Sequence, residues 1–169
     1  MDIKIISGLV HIKDLRGFLR NLNKISSSNN VLIQALDADK IAGERHIRFA
    51  VKKAIGAMEA HINVANDLGV EIMRYAAGER QIEKAFSMGL HEGDNRAAFV
   101  VIGEKQPVLL ASVALLGIID EKPLIGYSTS GRESIISQFN ITESEIEAVG
   151  EDKIPELVIE RVALVDVLK

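Results

Sequence analysis

Six consecutive apolar residues, Ala97-Ala98-Phe99-Val100-Val101-Ile102, constrain this chain more than any other segment. A strand without alternation of polar and apolar positions must be covered on both faces, so the run predicts a central strand flanked by helices. The 169 residues suffice for one domain with a substantial core. Ile3, Ile5, Val10 and Ile12 predict a first strand, with Ser7-Gly8 placed where a bulge would shift the alternation. Asp14 opens a helix through Leu15, Phe18, Leu19 and Leu22, the Ser26 to Asn30 cluster forms a turn, and Val31 to Leu36 reads as a buried strand.

The longest helix is expected over about Glu44 to Asp67, where Ile47, Val51, Ala54, Met58, Ile62 and Ala65 share a face. Leu68-Gly69 closes it, Val70 to Ala77 reads as a strand, and Gly78 marks a sharp strand-to-helix turn into Glu79 to Met88. From Pro107 onward the pattern is helical. Pro107 and Pro155 fall where first-turn prolines are tolerated, and Ser130 with Glu133 and Thr142 with Glu145 have capping-box spacing. The expected fold is a single α/β domain over residues 1–169, with a small mixed central sheet of about four strands flanked by helices and a helical C-terminal region.

With no cysteine, the chain has no disulfides, thiolate metal sites or cysteine nucleophile. The four histidines include no i,i+4 pair, and no nucleotide P-loop or G-x-S-x-G elbow is present, so neither a metal site nor a catalytic residue is expected. Gly126 to Arg132 only loosely resembles a phosphate cradle, and a capping serine accounts for it. The longest apolar run, Val108 to Ile119, is shorter than the ~18 residues of a membrane span, and the start lacks a signal-peptide pattern. A soluble cytoplasmic protein without a membrane partner is expected.

The net charge of −4 conceals a polarity along the chain. Residues 1–118 carry 15 basic and 13 acidic side chains, residues 119–169 carry 5 and 11. The densest basic patch is Arg45, Arg48, Lys52 and Lys53, opposed by Glu44 alone. On a helix, Arg45, Arg48 and Lys52 form one stripe, His46 and Lys53 a neighbouring one, with Phe49 between. An aromatic ring flanked by cations suits single-stranded nucleic acid; a solvated helix face with Phe49 in the core explains the same residues without a ligand. At Tyr75 to Ile82 a glycine permits close backbone approach, and a helix starting there would offer free amides, with Arg80 and Gln81 beside it, to an anion. A plain corner between two elements fits equally.

Gly43-Glu44-Arg45-His46-Ile47-Arg48-Phe49-Ala50, Tyr75-Ala76-Ala77-Gly78-Glu79-Arg80-Gln81-Ile82 and Gly93-Asp94 before an apolar strand together resemble the small non-catalytic subunit of the KEOPS (EKC) complex, the PRPK-binding (TPRKB-like) family in its compact archaeal form. The resemblance covers essentially the whole chain. It implies a role in making N6-threonylcarbamoyladenosine in tRNA: binding of the single-stranded 3′ CCA tail, and docking on and stimulation of the complex's small atypical kinase/ATPase subunit. The catalytic subunit is a separate chain, reached indirectly. No cofactor is implied, and the isolated chain would be a monomer.

The implied RNA surface comprises His46, Lys53, Gly78, Arg80 and Gln81, with Arg45, Arg48, Lys52 and Arg96 as supporting phosphate contacts. Ala76-Ala77 stands where the family pattern has a serine before the glycine, which puts a hydroxyl contact there in doubt. For kinase docking the candidate is the last helix, where Ile154, Leu157, Val158, Arg161, Val162 and Val165 recur at helical spacing; packing on the domain itself gives the same stripe. The acidic C-terminal region would suit a basic partner. The alternative reading is a small-molecule enzyme or sensor using the Gly78 corner as an anion pocket.

Overall fold

A computed structural model describes residues 1–167. Among them are four strands and eight helices, an α/β fold with a helical C-terminal region: β1 (Asp2–Ile12), α1 (Leu15–Asn29), β2 (Leu32–Asp37), α2 (Glu44–Glu59), α3 (Leu68–Ala76), α4 (Ile82–Ala85), β3 (Gly93–Gly103), α5 (Lys105–Leu116), β4 (Asp120–Glu121), α6 (Arg132–Phe139), α7 (Glu143–Val149) and α8 (Ile154–Ala163). Two compact units are distinguishable. The chain passes through the first over Met1–Ala38 and Gly89–Leu124, and through the second over Asp39–Met88 and from Ile125 onward.

The first unit holds the sheet, in the order β2-β3-β1-β4. All of Ala97 to Ile102 is buried in β3, as the unbroken apolar run requires. Phe99 lies opposite Ile6 of β1 and Ala35 of β2 and joins Leu22 of α1 and Val108, Ala111 and Leu115 of α5 in one core. Full burial of a Phe side chain contributes roughly 2–3 kcal/mol. The sheet is antiparallel at every pairing rather than mixed, because β1 and β2 both run against β3.

The expected bulge at Ser7-Gly8 is absent, since β1 and β3 stay in register from Asp2↔Gly103 to Ile12↔Gly93. Gly8 serves another purpose. A Cβ there would lie 2.4 Å from the Asp120 carbonyl oxygen of β4. Ser7 completes this edge: its hydroxyl donates to the Lys122 carbonyl at 2.6 Å and accepts from the Leu124 amide at 3.1 Å. The serine cluster that read as a turn is the last turn of α1, closed by Asn30 in the left-handed conformation.

Among the described residues the second unit has helices and no strand, and the expectation of a strand over Val70 to Ala77 is overturned. These residues form α3, with Asp67 capping the Gly69 amide at 3.1 Å. Residues Glu71 to Ala77 are all buried, so no exposed face marked the helical period. The preceding helix stops at Glu59 rather than Asp67. His61, at φ 58°, donates to the Met58 carbonyl, and Ile62 donates to that of Ala57. A histidine in the left-handed conformation ends this helix without the glycine that would have signalled it. Ile62, expected on the buried face, is exposed.

Thr142 and Glu145 form the expected capping box. Ser130 does not cap: its hydroxyl pairs with that of Ser128, and α6 starts after Gly131. Pro155 lies in the first turn of α8.

Gly8→Val is expected to destabilise the protein by about 1–3 kcal/mol through the clash with β4. Urea unfolding should show a lower midpoint at unchanged slope; an unchanged midpoint would show that β4 yields freely.

Candidate nucleic-acid interface

The elements carrying most of the predicted site residues lie in the helical unit. Gly43, at φ 111°, starts α2, which presents Arg45, Arg48 and Lys52 to solvent with Phe49 half-buried. Two of these cations have carboxylate neighbours: Arg48 with Glu44 at 3.3 Å, one turn away, and Arg45 with Glu156 of α8 at 3.5 Å. Such exposed pairs are weak and leave the guanidinium faces available.

His46 differs from its expected place on the surface stripe. It is fully buried, and its ring bridges two backbones. Nδ1 accepts from the Ala42 amide at 3.0 Å, so Nε2 carries the proton and donates to the Ala76 carbonyl at 2.8 Å. Burial drives its pKa down to about 4, partly opposed by the hydrogen bond to Ala76. As placed, this side chain positions the end of α3 beside α2 and does not reach a ligand.

The Gly78 corner is the carboxyl end of a helix, contrary to the expected strand-to-helix start. The Glu79 amide donates to the Arg74 carbonyl and the Gly78 amide to that of Tyr75, each at 3.0 Å, with Gly78 left-handed at φ 67°. This paired closure favours glycine for a second reason: a Cβ would stand 3.1 Å from the Phe139 ring. Phe139 in turn meets the His46 ring edge-on at 5.4 Å. Arg80 and Gln81 are exposed just beyond the turn, before α4.

Beneath the corner is a cavity of about 280 Å³ lined by Gly78, Arg80, Phe139, Asn140, Arg161 and neighbouring residues. Arg161 donates to the Phe139 and Asn140 carbonyls at 3.0 and 3.2 Å and to Glu145 at 2.7 Å. The Arg161 bond and the Thr142 amide hold the Glu145 carboxyl down at about 2. Phe139 and Asn140 were missed because nothing in an Asn-ended short helix points to a distant glycine turn.

A buried guanidinium organises the corner from within. Arg74 forms an ion pair with Glu71, lies 4.6 Å over the Tyr75 ring, and donates from Nη1 to the Glu79 and Arg80 carbonyls at 3.4 Å. Lys53 reaches in from α2, its Nζ 5.8 Å from the Tyr75 ring centroid and 3.5 Å from Asp166. Arg74, Tyr75 and Asp166 carried no sequence signal for this role, because Tyr75 read as one face of a strand.

The remaining predicted residues fall elsewhere. Arg96 belongs to the first unit, exposed on β3 opposite Leu9 of β1. The proposed docking stripe is interior: Ile154, Leu157, Val158, Val162 and Val165 are buried, and Arg161 lines the cavity. That expectation is corrected by the packing of α8 within its own unit. An exposed apolar face exists instead on α5 of the first unit, where Leu109, Leu110 and Val113 are 42, 54 and 70% accessible while Val108, Ala111 and Leu115 point into the core. Its signal was present as the long apolar run, in which no polar face relieves the helix. Among the described residues no group of acids and histidines could hold a metal ion, and no helix is long and apolar enough to cross a membrane.

The model of the family described as Kinase binding protein CGI-121 matches residues 11–166. No curated protein matches the chain.

The neutral, buried His46 makes stability depend on pH. Below 6.5 the unfolded chain takes up a proton that the folded ring refuses until about 4, so stability falls with pH across that window. The loss from pH 7 to pH 5 should be on the order of 2 kcal/mol. Chemical denaturation at both values checks it: H46Q, though weaker at pH 7, should lack this loss, and an equal loss in H46Q would assign it to another group.

Proposed function

We propose, from the premise that the chain belongs to the CGI-121 kinase-binding family, that it is a non-catalytic subunit of the KEOPS tRNA-modifying assembly. It holds the single-stranded 3′ CCA tail of tRNA and docks on and stimulates the small atypical kinase/ATPase subunit. The observation that carries the RNA reading is the conjunction of α2 with the Gly78 corner. His46 bonds α2 to Ala76 and Lys53 lies over Tyr75, so the basic face of α2 runs alongside the turn bearing Arg80 and Gln81. Phosphates are met by Arg45, Arg48, Lys52, Lys53 and Arg80, and the cavity under Gly78, at the small end of ligand pockets, has room for one base beside the Phe139 ring. Arg96 belongs to the other unit and is not part of this conjunction.

The anion-pocket alternative needed the free amides of a helix start at Gly78. The carboxyl end of α3 lies there, with its dipole reversed, and that reading loses its basis. Kinase docking moves from α8 to the exposed face of α5, where Leu109, Leu110 and Val113 form the contiguous apolar surface that a stable partner would cover.

Gel-shift titration should show tRNA bound by the wild-type protein and tRNA lacking CCA bound much more weakly; equal affinities would overturn the RNA reading. Charge reversal at Lys52 and Arg80 should lower affinity by tenfold or more and flatten its salt dependence without changing thermal stability, because each phosphate contact releases counterions. Unchanged affinity would remove both residues from the surface.

Co-purification with the kinase subunit should be lost in a Leu110→Arg, Val113→Arg variant that still binds tRNA. Retained co-purification would place docking elsewhere.

A further inference from the structure

Four groups converge where α2, α3 and the turn after α8 meet. Tyr75 Oη donates to the Asp166 carboxylate, 2.9 and 2.8 Å from its two oxygens. Lys53 Nζ is 3.5 Å from Oδ2, and Arg74 Nη2 is 3.9 Å from Oδ1. Arg74 Nη2 is buried and has no hydrogen-bond partner among the described residues. A buried donor left so forfeits its hydration without compensation, which a well-fitted structural clasp would avoid.

The arrangement has the donors of an anion site and an imperfect occupant. Two oxygens on a planar carboxylate satisfy Tyr75 and approach Lys53 but leave Arg74 Nη2, at 3.9 Å, without a hydrogen bond. Glu71 cannot fill the gap: it is fully buried, with Oε1 on Arg74 Nε and Oε2 accepting from the Val64 amide at 2.8 Å. The charges of Lys53 and Arg74 are balanced by Glu71 and Asp166. Exchange of the Asp166 carboxylate for one phosphodiester would keep that balance and supply tetrahedral oxygens to all three donors.

Access depends on Asp166. Tyr75 and Arg74 are buried, whereas the Lys53 and Asp166 side chains are each 31% exposed, and Asp166 lies in a turn rather than in α8. Burial, then the Asp166 bond, pushes the Tyr75 phenol up to about 12, so it remains a donor at neutral pH.

We propose that Lys53 Nζ, Arg74 Nη2 and Tyr75 Oη form a phosphate-binding site, and that the Asp166 carboxylate holds it in the free protein and yields it to a backbone phosphate of the bound strand. The identity of the phosphate rests on the RNA reading; the site itself does not. Arg74 also holds the Glu79 and Arg80 carbonyls, so filling the site acts directly on the Gly78 corner.

The test compares wild type, Asp166→Asn, Lys53→Met and the double variant, with two probes: a single-stranded oligonucleotide ending in CCA and inorganic tripolyphosphate. Asp166→Asn should bind the oligonucleotide about tenfold more tightly than wild type and gain a tripolyphosphate-dependent rise in melting temperature. Neither gain should appear when the same change is made in the Lys53→Met background. Asp166→Ser gives the same readings if the asparagine variant fails to fold. A tripolyphosphate gain without oligonucleotide binding by any variant supports the site and overturns the RNA reading. No gain with either probe, or gains that persist without Lys53, would overturn the proposal.

Discussion

The guanidinium of Arg74 has almost no contact with water, and the geometry of the helical unit depends on it. Removing one partner from a buried ion pair costs about 3–5 kcal/mol, so Arg74 and Glu71 must be kept or lost together. The same side chain faces three ways: toward Glu71 within α3, toward the Glu79 and Arg80 carbonyls past the helix end, and toward Asp166 after α8. Closure of α3 by Gly78 and attachment of Ala76 to His46 then fix where Arg80 and Gln81 emerge. A surface turn is thereby given the definition of a core element.

This dependence separates two kinds of charged residue. Arg45, Arg48 and Lys52 are spaced by the helical period and need only α2 to be presented together. Arg74 and His46 are chemically similar to surface ligands but are buried. His46 bonds only backbone groups, and Arg74 bonds the Glu71 carboxylate and the Glu79 and Arg80 carbonyls; low local dielectric strengthens these bonds while making a charged imidazolium costly. His46 thus acts by position, holding α2 to the end of α3, whereas Arg74 both positions the corner and keeps Nη2 without a hydrogen-bond partner among the described residues.

The sequence revealed elements whose periodicity met one environment. The β3 run, the α1 start at Asp14, the Thr142 cap and the basic face of α2 were legible because each follows from local spacing. α3 was not, since a nine-residue helix buried on nearly every side has the same composition as a buried strand. The end of α2 was concealed by His61 occupying a conformation usually given to glycine. The apolar stripe of α8 was legible as a stripe, but whether such a stripe meets its own domain or a partner is decided by tertiary packing. For the same reason the apolar run of α5 was legible, but which of its faces is exposed was not until the buried face had been assigned. Of the candidate site, Gly78, Arg80 and Gln81 were expected from the resemblance and Lys53 partly from charge; Phe139, Arg74 and Asp166 come beside them only through the fold.

On the proposed reading, a single-stranded tRNA tail lies along α2 and over the Gly78 corner. Amide chemical-shift mapping of the isolated protein with a short oligonucleotide ending in CCA would show whether it does. The largest perturbations should fall on Lys52, Lys53, Gly78, Arg80, Gln81 and Asn140, with the amides of β1 and α1 little changed. Perturbations absent at saturating oligonucleotide, or confined to the sheet-bearing unit, would contradict it.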